Sequence, residues 1–367
     1  MLRVFPKRPL TRVRGGAPRI LPRILPRILL RILLRIPRIP AYPLRIVLRG
    51  EKTLDLEKIM LVTESEGGLY TLRDTESGES HALRARGAFR HRGVKLLVGD
   101  RVRCRKEADG TYAMEEICER RCALIRPPLA NLDIIYAVIP AAQPMPDLIL
   151  TDKLISIAEH AGIQPVVVIT KSDCDRAPAE RIRGIYAACG FPVFVTSSAT
   201  GEGTDALSAY IDRENAGRIS AIAGVSGAGK SSLLNVLFPS LSLETGELSR
   251  KIVRGKNTTR KVQLFELSRL RGTGEREGAS EGYIADTPGF SLLDFTRFDF
   301  MKLEDLPYTF REYVPYFGKC RYTKCSHTRE EGCAILAAIA DGTLPRERHE
   351  SYCAIREDLR NKHDWDK

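Results

Sequence analysis

Thr170-Lys171-Ser172-Asp173 precedes Gly224-Val225-Ser226-Gly227-Ala228-Gly229-Lys230-Ser231 in this chain of 367 residues, and the order of the two stretches decides the fold. The second fits G-x-x-x-x-G-K-S, a loop whose backbone N–H groups wrap a phosphate. The first fits T/N-K-x-D, an element that reads guanine. In an unpermuted P-loop GTPase the phosphate loop leads and the base-reading motif follows late. The reversed order predicts an α/β P-loop GTPase domain that is circularly permuted.

Around the phosphate loop, Ile219–Ala223 reads as an apolar strand, Gly224–Gly229 as a turn and Ser231 onward as a helix. The backbone of Gly224, Val225, Ser226, Gly227, Ala228 and Gly229 and the helix N-terminus together favour the β-phosphate. Lys230 brings a point charge to the β and γ oxygens. Ser231 offers a hydroxyl to Mg²⁺, and Ser232 joins the nucleotide-binding set. Asp173 separates GTP from ATP, because it accepts from both guanine N–H donors and adenine offers no matching pair. The stem of Lys171 covers the base, and Ser172 completes the motif. Thr170 replaces the commoner Asn, which reduces an amide bridge to the phosphate loop to a hydroxyl. Downstream, Thr196-Ser197-Ser198-Ala199-Thr200-Gly201 is similar to the S-A-x-T-G loop that touches the guanine oxygen, so Ser197 and Ser198 are candidates.

Asp286-Thr287-Pro288-Gly289 fits D-x-P-G. Asp286 is expected to hold Mg²⁺ through water, and the Gly289 N–H to sense the γ-phosphate. Gly255-Lys256-Asn257-Thr258-Thr259 supplies a threonine that closes over Mg²⁺. The sequence leaves open whether Thr258 or Thr259 does so; Thr259 is carried with Ser231 as a magnesium ligand. Phe290 stands where a Ras-type enzyme has its water-orienting glutamine. A phenyl ring cannot polarise water, so hydrolysis is expected to be slow until a partner completes the site.

Ahead of this domain, Ile59–Thr63, Leu69–Leu72, His81–Ala85, Arg101–Arg105 and Tyr112–Ile117 read as short strands between glycine turns. Five such strands fit a small OB-fold barrel, a frequent RNA-binding module. Arg84, Arg86, Arg90, His91, Arg92 and Lys95 cluster on it and predict RNA contact. The domain boundaries expected are 1–57 for a low-complexity basic extension, 58–126 for the barrel, 127–295 for the GTPase domain and 296–367 for a C-terminal helical zinc-binding domain. Residues 1–50 hold 13 Lys and Arg and no acid, leaving 45 basic against 46 acidic residues beyond, so the net charge of +12 belongs to the tail. The tail repeats Pro-Arg-Ile-Leu, and its regular arginines leave no apolar run long enough to span a bilayer. It reads as a disordered extension, with Met60 near the natural start. A targeting peptide is the alternative, disfavoured by the absence of serine.

Cys320-x4-Cys325-x-His327-x5-Cys333 places three thiols and an imidazole within one short segment. That is a closed Cys₃His set suited to tetrahedral, structural Zn²⁺. Cys104, Cys118, Cys122, Cys174, Cys189 and Cys353 lack such spacing and are expected to be buried thiols. Nine cysteines argue against a complete disulfide framework, and the chain is expected in a reducing cytoplasm.

From about Lys58 to the C-terminus, the barrel, T-K-x-D ahead of G-x-S-G-x-G-K-S, D-T-P-G-F and C-x4-C-x-H-x5-C together resemble the RsgA (YjeQ) family of circularly permuted small-ribosomal-subunit GTPases. The resemblance implies a late assembly factor that binds the 30S subunit and its rRNA and hydrolyses GTP when stimulated by the subunit. A monomer is expected, with no membrane partner. The family pattern has a histidine at the position of Asn257, which cannot act as a general base and is retained as a positioning residue. The competing reading is an rRNA-binding checkpoint clamp that uses GTP mainly as a conformational ligand. A permuted GTPase acting on the large subunit or a membrane is disfavoured by the barrel and the cysteine cluster. Because Gly289 runs almost directly into the zinc segment, nucleotide state is expected to set the angle of the zinc domain.

Overall fold

The computed structural model describes residues 57–84, 95–125, 127–241, 262–272, 281–286 and 301–361. The expectations for residues 1–56, for Arg86, Arg90, His91 and Arg92, for Asn257, Thr258 and Thr259, and for Gly289 and Phe290 lie outside the described residues.

Five strands form the expected barrel: β1 (Glu57–Glu66), β2 (Leu69–Asp74), β3 (Ser80–Arg84), β4 (Arg101–Lys106) and β5 (Tyr112–Ile117). β1 pairs antiparallel with both β2 and β4; β3 joins β2, and β5 joins β4. Met60, Leu61 and Val62 are buried in succession. Successive side chains point to opposite faces, so this strand is covered on both sides. The short pair β6 (Ala123–Leu124) and β7 (Leu129–Ala130) leads out of the barrel.

The next layer alternates β8 (Ile134–Pro140), α1 (Leu148–His160), β9 (Gln164–Thr170), α2 (Arg176–Ala188), β10 (Val193–Val195), α3 (Thr204–Glu214), β11 (Ile219–Gly224) and α4 (Lys230–Leu237). It continues through β12 (Gln263–Glu266), α5 (Leu267–Arg271) and β13 (Tyr283–Asp286). Strand order is β10-β9-β8-β11-β13-β12, parallel except for β12 against β13. β8 is buried throughout and β9 and β11 nearly so, as continuous apolar runs under helices on both faces should be. β11 lies in the middle of the sheet although it comes fourth in the chain among these strands. The permutation therefore moves the chain ends and leaves the phosphate loop at the carboxyl end of a central strand, where α/β sheets bind ligands.

Helix α2 starts at Arg176, where the Asp175 side chain caps it, accepting from Ala177 N at 3.2 Å. Only Thr204, Leu207 and Ile211 of the polar helix α3 are buried. β10 begins after Pro192. The GTPase sheet does not end at β12. Glu64 of β1 pairs with Gln263, so barrel and GTPase strands form one hydrogen-bonded sheet.

Beyond residue 300, the 3-10 turns Leu306–Thr309 and Arg311–Tyr316 lead through the cysteine loop to α6 (Ala334–Ala340) and α7 (Arg346–Arg360). Among the described residues no helix is long and apolar enough to cross a membrane.

Candidate functional site

Gly224 ends β11 at φ 154°, and a Cβ there would stand 2.2 Å from the Val138 carbonyl oxygen of β8. Only glycine lets the loop leave the sheet at that point. Gly229 caps α4 at φ 88°, turning the loop into the helix. The Lys230 ammonium donates to the carbonyls of Gly224 at 2.8 Å and Val225 at 2.7 Å. Burial lowers its pKa, the mark of a cation partly removed from water. Ser226 and Gly227 face solvent, and Ser231 and Ser232 start α4 half-buried.

The Thr170–Asp173 loop is tied directly to this turn. Thr170 Oγ1 donates to the Ala228 carbonyl at 2.6 Å, the hydroxyl bridge expected from sequence. Lys171 sits at φ 59° and sends its ammonium to the carbonyls of Gly227, at 2.8 Å, and Gln143. Its stem is thereby held over the gap between the two motifs. Asp173 is exposed, with its carboxylate hydrogen-bonded by the Ser197 hydroxyl, which keeps its pKa low. Ser197 Oγ also accepts from Ala199 N at 3.2 Å and Thr200 N at 3.1 Å, so one buried hydroxyl shapes the loop that includes Ser198 and orients Asp173. Glu202, which sequence reading missed, accepts from Ser172 Oγ at 3.4 Å and pairs with Arg176. Asp286 is placed as the last residue of β13, its backbone opposite Gln263. Thr258, Thr259 and Gly289 lie outside the described residues.

The second candidate site gathers Cys320, Cys325, His327 and Cys333, with ligand atoms all within 4.8 Å of one another. His327 Nδ1 lies 3.6 Å from Cys320 Sγ and 3.5 Å from Cys333 Sγ, and the two sulfurs are 3.9 Å apart. A tetrahedral ion with bonds of about 2.3 Å to sulfur and about 2.0 Å to nitrogen separates its ligands by roughly 3.5–3.8 Å. The four residues fit zinc. Burial pushes the Cys325 thiol up to about 12 and raises Cys333 too, so these sulfurs want a cation before they ionise. Cys333 stands at the N-cap position of α6, where the Leu336 and Ile335 N–H groups favour its thiolate against the burial that opposes it. His327 takes φ 59°, a strained value that turns the ring among the thiols. Although burial opposes its charge, Glu330 is held well below the ordinary carboxylate range by the Ser326 hydroxyl and by backbone N–H groups, at 2.7 Å from Ser326 and 3.1 Å from Arg329.

A family model described as RsgA GTPase matches residues 117–296, and one described as RsgA N-terminal domain matches residues 61–112. The chain belongs to the RsgA GTPase family. Relatives named small ribosomal subunit biogenesis GTPase RsgA include that of Moorella thermoacetica, 37% identical over 286 residues, spanning 78% of this chain and 92% of the relative. That of Halalkalibacterium halodurans is 37% identical over 306 residues, 82% and 97% of the two chains. Among solved RsgA-like structures, YjeQ from Thermotoga maritima superposes with a TM-score of 0.70 at 29% identity, covering 84% of this chain and all of that one. YloQ, described as a circularly permuted GTPase, gives 0.67 at 28% identity, covering 86% and 99%. The permuted fold read from motif order thus holds for this RsgA-family chain.

Two further features escaped the sequence reading. Cys174, expected to be buried, is exposed because it follows Asp173 at the tip of the base-reading loop; Cys104 and Cys189 are buried, and Cys118, Cys122 and Cys353 half-buried. Arg348 of α7 is fully enclosed and joins Asp152 of α1 to Glu312.

Proposed function

We propose that this chain is a GTPase that binds the small ribosomal subunit in late maturation and hydrolyses GTP to GDP and phosphate when the subunit stimulates it. The observation that carries the reading is the double bridge from Thr170 and Lys171 to Ala228 and Gly227, which couples a guanine reader to a phosphate loop. Asp173 takes the two guanine N–H donors, with Ser197 and Ser198 alongside. Gly224–Gly229, Lys230, Ser231 and Ser232 take the phosphates. Ser231, one of Thr258 and Thr259, and Asp286 hold Mg²⁺, which neutralises charge on the β and γ oxygens. Gly289 senses the γ-phosphate, and Phe290 leaves the intrinsic rate low. The Cys₃His set holds one structural zinc. In this reading residues 58–126 form the barrel that meets rRNA, 127–295 the GTPase domain and 296–367 the zinc domain. The protein works as a monomer in the cytoplasm.

The test is single-turnover GTP hydrolysis with and without isolated 30S subunits, with Asp173→Asn as control. Slow hydrolysis, accelerated at least tenfold by 30S and not by 50S subunits, is expected. Asp173→Asn should lose guanine preference, since an amide presents one donor where two acceptors are needed. Equal rates with and without subunits, together with GTP-dependent subunit binding, would favour the checkpoint clamp.

A further inference from the structure

The continuity of barrel and GTPase sheet places three residues in one row: Glu64 on β1, Gln263 on β12 and Asp286 on β13. Gln263 therefore has a barrel strand on one side and the first residue of the D-x-P-G motif on the other. Three residues further along β12, Glu266 is paired with Tyr283 of β13. Arg73 of β2 reaches across to this pair. Its guanidinium lies 2.9 Å from Glu266 Oε2 and also bonds the Tyr283 hydroxyl. A further donation to the Gly78 carbonyl at 2.6 Å fixes the arginine in its own barrel turn. Arg73 and Glu266 are only 4% and 8% exposed, so this is a desolvated joint and not a surface ion pair.

We propose that Arg73 is a positioning residue for GTP hydrolysis, fixing the β12–β13 edge so that force on the barrel is felt at Asp286. The inference rests on the functional reading above and adds the route by which a partner on the barrel reaches the phosphate end of the site. β12 has four residues and one interior neighbour, so its placement depends on what holds its outer side. Neighbouring strands lie about 4.8 Å apart and share backbone hydrogen bonds, so a shift of β1 is passed to Gln263 and on to Asp286 with little loss. The buried Arg73 guanidinium is shared among Glu266, the Tyr283 hydroxyl and the Gly78 carbonyl, and Arg269 Nε meets the same Glu266 oxygen at 2.9 Å, so the joint is held from several directions. Two alternative couplings are weaker. The Lys58–Asp74 pair lies within the barrel, and the Arg348 cluster meets α1 and α2 rather than the switch strands.

The decisive variant is Arg73→Met/Glu266→Met, which removes both charges and so avoids stranding one of them. GDP affinity in the absence of Mg²⁺ should stay within about twofold, because the base and phosphate loops are untouched. The Mg²⁺ concentration giving half-maximal GTP hydrolysis should rise about tenfold, and subunit-stimulated kcat should fall about tenfold with KM for the subunit unchanged. An unchanged Mg²⁺ requirement and full stimulation in the folded double variant would overturn the proposal alone. A wild-type protein indifferent to the subunit would overturn the functional reading and this inference with it. Should the double variant fold poorly, hydrogen exchange on the unaltered chain decides. Binding of 30S subunits should change protection of the Gln263–Glu266 and Tyr283–Asp286 amides, and unchanged protection there refutes the coupling.

Discussion

Replacing Arg348 by Met tests the other joint of this molecule, the one that seats the C-terminal module on the GTPase core. Arg348 is 1% exposed; its Nε donates to Glu312 Oε1 at 2.8 Å and its Nη1 to the Asp152 carboxylate. The guanidinium lies 4.6 Å from the Phe310 ring centroid, and Asp152 also accepts from Tyr186 Oη at 2.9 Å. Methionine fills most of the volume but leaves two carboxylates buried without a cation, which costs about 3–5 kcal/mol. The cost should depend on pH, and its sign follows from Asp152. Burial already pushes that carboxyl above its ordinary value, while Arg348 pulls it down. Without Arg348 the folded pKa rises further above the unfolded one. An acid shifted upward penalises the folded state at high pH and stops doing so once it is protonated. The deficit should therefore be largest near pH 8 and shrink toward pH 5.5. Urea unfolding followed by circular dichroism at both pH values gives the global figure, and hydrogen exchange in α1 and α7 gives the local one. A deficit below about 1 kcal/mol at pH 8, or one equal at both pH values, would refute the assignment of Arg348 as a buried counter-ion. Arg348→Met/Asp152→Leu/Glu312→Met should recover most of the loss, since no charge is left stranded.

Three further outcomes are expected. Thr170→Val keeps the shape of the side chain but removes the 2.6 Å bond to Ala228, so affinity for a fluorescent GDP analogue should fall about three- to tenfold, the worth of one neutral hydrogen bond; unchanged affinity would show that the bridge does not hold the phosphate loop. Asp74 is opposed by burial, yet the Lys58 ammonium and the Glu76 and Ser77 donors lower its pKa to about 2, from an ordinary 3.8. Its contribution, about 2 kcal/mol at pH 7, is present above pH 4 and lost as pH falls toward 2, so Asp74→Asn should destabilise at pH 7 and flatten the acid limb of the stability curve; parallel acid limbs would contradict this. Thiol modification should release one zinc per chain in a colorimetric assay, and Cys325→Ser should lose zinc while keeping GDP affinity; a metal-free wild-type protein would refute the zinc assignment.

The elements legible in the sequence were those whose signal is local. β8, β9 and β11 are continuous apolar runs, the phosphate loop declares itself by glycines and one lysine, and the metal set by spacing. The joints were not legible. Strand pairing between Glu64 and Gln263 is made by backbone atoms, and two polar residues at a strand edge give no side-chain hint of a partner far along the chain. Arg348 lies in Arg346–Arg360, a helix so charged that every basic residue reads as solvated. It is buried only because positions 152, 312 and 348 meet in space. Glu202 was missed for the same reason, its partners Ser172 and Arg176 lying on the preceding strand–helix unit.

These two joints change what the permutation means mechanically. Reading order alone suggested that the γ-phosphate sensor, leading into the C-terminal segment, would swing the zinc domain. Yet Arg348, Arg311 and Lys153 tie that domain to α1, through Asp152 and Glu159 of the helix and through Asp358 of α7, while Arg311 also stacks 4.2 Å from the Phe191 ring centroid. α1 and α2 flank β8, β9 and β10, the half of the sheet that carries the Thr170–Asp173 and Thr196–Gly201 loops. A swing would have to part a buried arginine from two carboxylates, at several kcal/mol. The barrel is fastened instead to β12, at the opposite edge, beside the strand that ends at Asp286. The sheet is thus held at both ends by modules with different duties. On the function proposed above, the C-terminal module would brace the half that recognises guanine, and the barrel would grip the half that ends at Asp286. A ribosomal partner loading the barrel would then act on hydrolysis without loosening nucleotide recognition.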